Sequence, residues 1–265
     1  KNFTAPPNTV VHYAEQPSAP YSLMNYKTAN FTLSNNLLVT NNLMFAIKDL
    51  SPDTHVIKLG TMGEYGTPNI DIEEGWLNIK HNNRKDKFLY PRQGSSLYHM
   101  SKIMDTDLIW FYVRNYGLNV TDLMQGPVYG IYHDETTKDD NLAPTFTYDD
   151  IFGTVLNRFI VQGVAGIPMT VYGSGSQIRG YINVVDTIKC IKLTLKNKPK
   201  DGELAIYNQF TEQFSVKQLA QLVKKSLKLI NIKATISKIP NPRIEKEKHY
   251  YNAKNSNIEK IGLKP

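Results

Sequence analysis

Apolar and polar positions along the 265 residues follow two periods, one of about two and one of about three and a half. Thr9-Val10-Val11-His12-Tyr13-Ala14 predicts a short buried strand, closed by the loop Glu15-Gln16-Pro17-Ser18-Ala19-Pro20. Ser34 is placed as the N-cap of a helix through Leu37, Leu38, Asn41, Met44 and Ile47. His55 to Gly60 predicts a strand that delivers Thr61 to its C-terminal end, where open α/β sheets bind ligands. Residues 67–94 are too long for a plain connection and predict a small hairpin or a functional insertion. An amphipathic helix then runs from Tyr98 through Met104, Leu108, Phe111 and Val113 and stops at Gly117. Strands at Asn119 to Met124, Met169 to Tyr172 and near Leu204 to Asn208 alternate with helices at 149–163, 184–196 and 215–230. Residues 131–147 are polar and loop-like. The alternation predicts an α/β fold with a mainly parallel sheet.

Composition narrows this picture only a little. Apolar content of 41% and charge of 21% are ordinary for a globular protein, and the length suffices for a sizeable core. The net charge of +7 suits anionic ligands. Its lysines thicken only in the C-terminal third, where Lys224, Lys225, Lys228, Lys233 and Lys238 look like a solvated helix face and loops. They do not form a nucleic-acid stripe. The single Cys190 excludes an internal disulfide and reads as a buried helical position. The six histidines show no metal-ligand spacing, so no metal is expected. No apolar run approaches the ~20 residues that span a bilayer, so no membrane insertion is expected.

The chemistry concentrates between Thr61 and Lys102. Tyr98 and Lys102 are four apart on a predicted helix, hence one turn apart on one face. Such an ammonium lowers a phenol's pKa and leaves a base suited to moving a proton beside a nicotinamide. Thr61 would complete a Thr/Tyr/Lys set beside the glycines Gly63 and Gly66, where backbone approaches something closely. The bland alternative is an exposed helix pair and a capping threonine. Glu64 and His99 are each either an extra acid or base or an ordinary hydrogen-bonded neighbour. The Gly173–Arg179 stretch, with Gln177 and Arg179, suits a diphosphate or is a glycine turn with a surface arginine; Arg243 is a second phosphate candidate.

Six segments carry a resemblance. They are Thr61 to Gly75, Tyr98-His99-Met100-Ser101-Lys102, Asp122-Leu123-Met124-Gln125-Gly126, Asn208 to Val216, Asn241-Pro242-Arg243 and His249 to Lys254. Together they resemble the extended short-chain dehydrogenase/reductase family that acts on nucleotide sugars, and within it the branch that forms UDP-sulfoquinovose. The resemblance implies a Rossmann-like, doubly wound, mainly parallel sheet. Residues 1–130 would be the remainder of the NAD-binding domain. Residues 131–265 would mostly form a smaller nucleotide-sugar-binding α/β region, with 180–200 returning to the first domain.

The resemblance also implies a reaction. Its substrates are UDP-glucose and sulfite, the latter free or delivered by a protein, and its cofactor is NAD. Tyr98 acts as base while C4 of the glucose is oxidised; water leaves across C5–C6, sulfite adds at C6, and C4 is reduced again. Thr61, Tyr98 and Lys102 take the family's catalytic positions, with His99 and Glu64 as helpers. Gln125, Thr154, Val155, Gln177, Arg179 and Arg243 join Thr61 in holding the nucleotide sugar. Ala14, Asn35, Asn36 and Val128 fall, with Tyr98 and Lys102, where the family holds NAD. A homodimer through the helix of Tyr98 is implied, in a plastid stroma or a prokaryotic cytoplasm.

Three departures qualify this. The family's Gly-x-x-Gly-x-x-Gly turn, which cradles the dinucleotide pyrophosphate, would precede Lys1, so the chain reads as a fragment. Pro17 stands where the family places an arginine, and Val39 replaces a customary glycine. The competing expectations are a UDP-glucose 4-epimerase or 4,6-dehydratase on the same scaffold and, from another class, a non-catalytic dinucleotide-binding scaffold.

Overall fold

A computed structural model describes residues 5–241 and 250–265. In chain order it contains β1 (Thr9–His12), α1 (Tyr26–Leu50), β2 (His55–Thr61), β3 (Trp76–His81), β4 (Arg84–Leu89), α2 (Leu97–Tyr116), β5 (Asn119–Gln125) and β6 (Val128–Tyr129). There follow α3 (Val155–Val164), β7 (Met169–Tyr172), β8 (Ile178–Asn183), α4 (Val184–Lys196), β9 (Leu204–Gln209), β10 (Glu212–Ser215), α5 (Val216–Leu229), β11 (Ile236–Ile239) and α6 (Ser256–Lys260). No helix among the described residues is long and apolar enough to cross a membrane.

The main sheet has the order β1-β2-β5-β9, all parallel. Strands β2 and β5 are buried on both faces, although His55, Lys58, Thr121 and Asp122 interrupt their apolar residues. Alternate residues feed two cores. Val56, Val120 and Met124 meet Met44, Ile109 and Val113 of α1 and α2 on one face. Ile57 and Leu123 meet Cys190 of α4 and Ile258 of α6 on the other. A third core joins Phe159 of α3 to Leu219, Val223 and Leu227 of α5 and to Met169 and Val171 of β7. Beside it lie a three-stranded sheet, β10-β8-β6, and the pair β11-β7.

Some boundaries differ from the sequence expectation, each for a local reason. Helix α1 begins at Tyr26, where Asn25 and Thr28 form a capping box; Ser34 sits inside the helix and donates to the Asn30 carbonyl. Helix α3 begins only at Val155, because the Asp149 carboxylate accepts from Ile151 and Phe152 N–H and makes a turn, leaving Thr154 as N-cap. Arg179 lies on β8 and not in a loop, while Gly173 and Gly175 take positive φ in the turn before it. The 67–94 segment contains the β3–β4 hairpin, turned by Asn82 and Asn83 at positive φ.

The acidic start of that segment has an unexpected job. Asp71 accepts from Asn252 at 2.9 Å and from Tyr250 at 2.5 Å, and Glu73 pairs with Lys254 at 2.6 Å. Glu74 accepts from Asn257 N at 2.8 Å and from Asn208 N at 3.3 Å. These carboxylates strap residues 250–257 onto the sheet, with Ile72 bridged to Ala253.

Candidate active site

Thr61 ends β2 and caps the one-turn helix Met62–Tyr65: its hydroxyl accepts from Gly63 N at 3.2 Å, and Glu64 Oε1 accepts from Thr61 N at 3.3 Å. The glycines here make room for neighbours. A Cβ on Gly63 would lie 2.3 Å from His99 Nε2, and one on Gly66, at φ +65°, would lie 2.1 Å from the Gln93 carbonyl. Helix α2 starts beside them. Ser96 accepts from His99 N at 3.1 Å, and Ser22 accepts from Tyr98 N at 3.0 Å. Thr61 and Tyr98 line the same cavity.

Two adjoining cavities open at this point. The first, of about 560 Å³, is lined by Thr61, Tyr98, His99, Gln125, Val128 and Arg179 among others. The second, of about 370 Å³, shares Tyr98, His99 and Arg179 and continues to Thr154, Val155, Arg158 and Gln177. The cavities thus bring together most of the positions singled out in the sequence. Ala14, Asn35, Asn36 and the buried Lys102 line neither. Ala14 is exposed just beyond β1, and Asn36 is fully buried, donating to the Gln16 carbonyl and to Ser101. Arg243 lies outside the described residues.

Charge beneath the cavity floor is arranged as a closed network. Lys58 is fully buried, 2.8 Å from Thr106 Oγ1, 3.3 Å from the Lys102 carbonyl, 3.4 Å from Asp122 and 3.5 Å from Glu64. Glu64 also faces Arg92 at 3.4 Å and accepts from Thr106 at 3.1 Å. It has no exposed surface and does not line the first cavity. The Lys102 ammonium pairs with Glu15 and lies 4.0 Å from Asp105. Burial first, and Lys58 second, hold Lys102 below its ordinary pKa. Burial pushes Tyr98 up, as do Glu15 and Glu64, against Lys58 and Thr61. His99 is pushed down to about 4 by burial and by Arg179, so it is uncharged at neutral pH. Asp105, with both carboxylate oxygens buried, is raised to about 7 by burial.

Sequence spacing missed Lys58, Glu15, Arg92, Asp122 and the cavity-lining Gln93, Ser95 and Tyr251. Glu15 and Lys102 are 87 residues apart, and no local pattern announces such a pair. Tyr251 was legible only as part of the family-like tail, and its hydroxyl accepts from Gly180 N at 3.2 Å.

Residues 1–208 match the NAD dependent epimerase/dehydratase family. Over 98% of its length the chain is 51% identical to the chloroplastic UDP-sulfoquinovose synthase of Spinacia oleracea and 43% identical to the UDP-sulfoquinovose synthase of Sulfolobus acidocaldarius. It spans 54% of the first and 66% of the second. Among solved structures it is similar to the UDP-glucuronic acid 4-epimerase of Bacillus cereus in complex with UDP-glucuronic acid and NAD. That match has a TM-score of 0.72 at 21% identity, covering 97% of this chain and 70% of the other, and speaks to the fold alone.

Proposed function

The chain belongs to the NAD dependent epimerase/dehydratase family, and from that premise we propose that it forms UDP-sulfoquinovose from UDP-glucose and sulfite. The observation that carries this is the pair of joined cavities, which share Tyr98, His99 and Arg179, with Thr61 on the wall of the first. The two UDP-sulfoquinovose synthases similar over nearly the whole chain support it further.

The residues present fit one end of the cofactor. Tyr98 and Val128 line the first cavity where the nicotinamide and its ribose would lie, with Lys102 buried one turn along α2 behind Tyr98, whereas the turn from β1 to α1 contains no glycine to cradle a pyrophosphate. NAD, when bound, supplies the acceptor and later the donor of hydride at the sugar C4. Tyr98 takes the C4 hydroxyl proton, with Thr61 beside it on the wall of the same cavity. His99, uncharged, is placed to take a proton in the elimination. We assign Glu64 to holding Thr61, since its carboxylate has no cavity surface. Gln125, Thr154, Val155, Gln177 and Arg179 bind the nucleotide sugar, and sulfite enters beside Arg179. The chloroplast in the name of the Spinacia relative supports a stromal setting as one of the two expected.

Incubation of the full chain with NAD, UDP-glucose and labelled sulfite should give a sulfonated UDP-sugar. Conversion of UDP-glucose at the same rate to a product without sulfur would sink the sulfite assignment and favour an epimerase or dehydratase.

We further infer a homodimer through α1 and α2. Phe31, Leu38 and Phe45 on α1, seven residues apart, are each about half exposed, as are Met104 and Phe111 on α2. A second copy of the same face would cover them as a four-helix bundle. Sedimentation should give twice the monomer mass for the parent and the monomer mass for Leu38→Glu; a monomeric parent at micromolar concentration removes the dimer.

A further inference from the structure

Gln125 ends β5, and directly beside it in the parallel ladder stands Gln209, the last residue of β9. Neighbouring register positions in a sheet place their side chains on the same face, so the two amides meet. Gln125 Nε2 donates to Gln209 Oε1 at 2.9 Å. Gln209 has no exposed surface. Its own Nε2 donates to the Thr187 carbonyl in α4 at 3.4 Å, and its backbone carbonyl accepts from Gly126 N at 3.0 Å.

The direction of this chain of amides follows from chemistry alone. A backbone carbonyl only accepts, so Gln209 has to turn its NH₂ toward Thr187 and its oxygen toward Gln125. Gln125 must then answer with its NH₂, which leaves its Oε1 as the group offered to the first cavity. An isolated glutamine could present either end. This one cannot.

We propose that Gln209 is a positioning residue, which through its hydrogen bond to Gln125 makes the end of β5 an acceptor for a hydroxyl of the bound nucleotide sugar. The identity of that ligand rests on the function proposed above; the locking of Gln125 does not. Gln209 touches no ligand itself, because it has no exposed surface and lines neither cavity. Its effect on binding therefore passes through Gln125.

The test is a double-mutant cycle on UDP-glucose affinity, measured by calorimetry on the full chain. Gln209→Met, close in shape, is expected to weaken binding roughly five- to tenfold, the worth of one hydrogen bond. In a Gln125→Ala background the same change should weaken it less than twofold. Equal losses in both backgrounds would mean that Gln209 acts on the fold at large, and no loss in the first would mean that it does not position Gln125. Either overturns the proposal. A second readout needs no ligand. The side-chain amide signals of Gln125, identified by their loss in Gln125→Ala, should shift and exchange faster with solvent in Gln209→Met; unchanged signals overturn the lock. Gln209→Leu gives the same comparison if the methionine variant does not fold. Failure of the parent to bind UDP-glucose would strike the proposed function, while the amide signals still decide the role of Gln209.

Discussion

Lys58→Met will lose about 3–5 kcal/mol of folding stability, the cost of removing one partner from a buried ion cluster. Lys58 lies on the central strand β2 with no exposed surface, and every polar group within reach of its ammonium belongs to a different element. Thr106 and the Lys102 carbonyl come from α2, Asp122 from β5, and Glu64 from the turn that Thr61 caps. Burial alone would pull its pKa down, and Asp122 and Glu64 more than offset this, so the ammonium stays charged. Methionine fills similar volume but leaves those carboxylates facing apolar surface. Arg92 would still hold Glu64, whereas Asp122 already has one oxygen without a partner. Urea unfolding should show a lower midpoint at an unchanged slope. A loss below about 1 kcal/mol would show that the carboxylates simply protonate and that the cluster does not hold the sheet to α2.

Tyr98→Phe should reduce kcat on the order of 10²- to 10⁴-fold while the affinity for UDP-glucose changes little. Tyr98 shares the cavity wall with Thr61, and the ring keeps its place through α2, whose first turn is fixed by Ser96 and Ser22. Phenylalanine therefore removes the proton acceptor and leaves the cavity wall. The folded protein stands to lose little, because one partly covered hydroxyl contributes about 1 kcal/mol. Turnover at the parent rate would remove the catalytic role given to Tyr98. An equal collapse of binding and turnover would show that the hydroxyl shapes the cavity more than it moves a proton.

The sequence pattern made the elements with a single clean period readable. Helix α4 at Val184–Lys196 and strand β7 at Met169–Tyr172 fall where apolar spacing places them. It failed where polar side chains shape the backbone. Asn25 caps α1 nine positions before Ser34, using threonine where a capping box more often shows glutamate or glutamine. Strands β10 and β11 hold no fully buried residue, so no alternation of buried and open positions marks them as it marks β7. In the site, Tyr98, Lys102 and Thr61 were legible because helix spacing and a strand end are local facts. Lys58, Glu15 and Gln209 were not, because their roles come from partners 44 to 87 residues away. Glu64 was seen but its surroundings were not. Only the fold reveals that it faces Lys58 and Arg92 beneath the cavity.

The strap of residues 250–257 has a consequence for how the molecule comes into being. Tyr251 forms part of the cavity wall, yet the carboxylates that hold its neighbours, Asp71, Glu73 and Glu74, lie about 180 positions earlier. During synthesis β1, β2, β5 and both helices of the Tyr98 face are made well over one hundred residues before the strap. Through that interval the partly made protein exposes an unfinished pocket. The wall that Tyr251 supplies can close only once residues 250–257 reach these carboxylates.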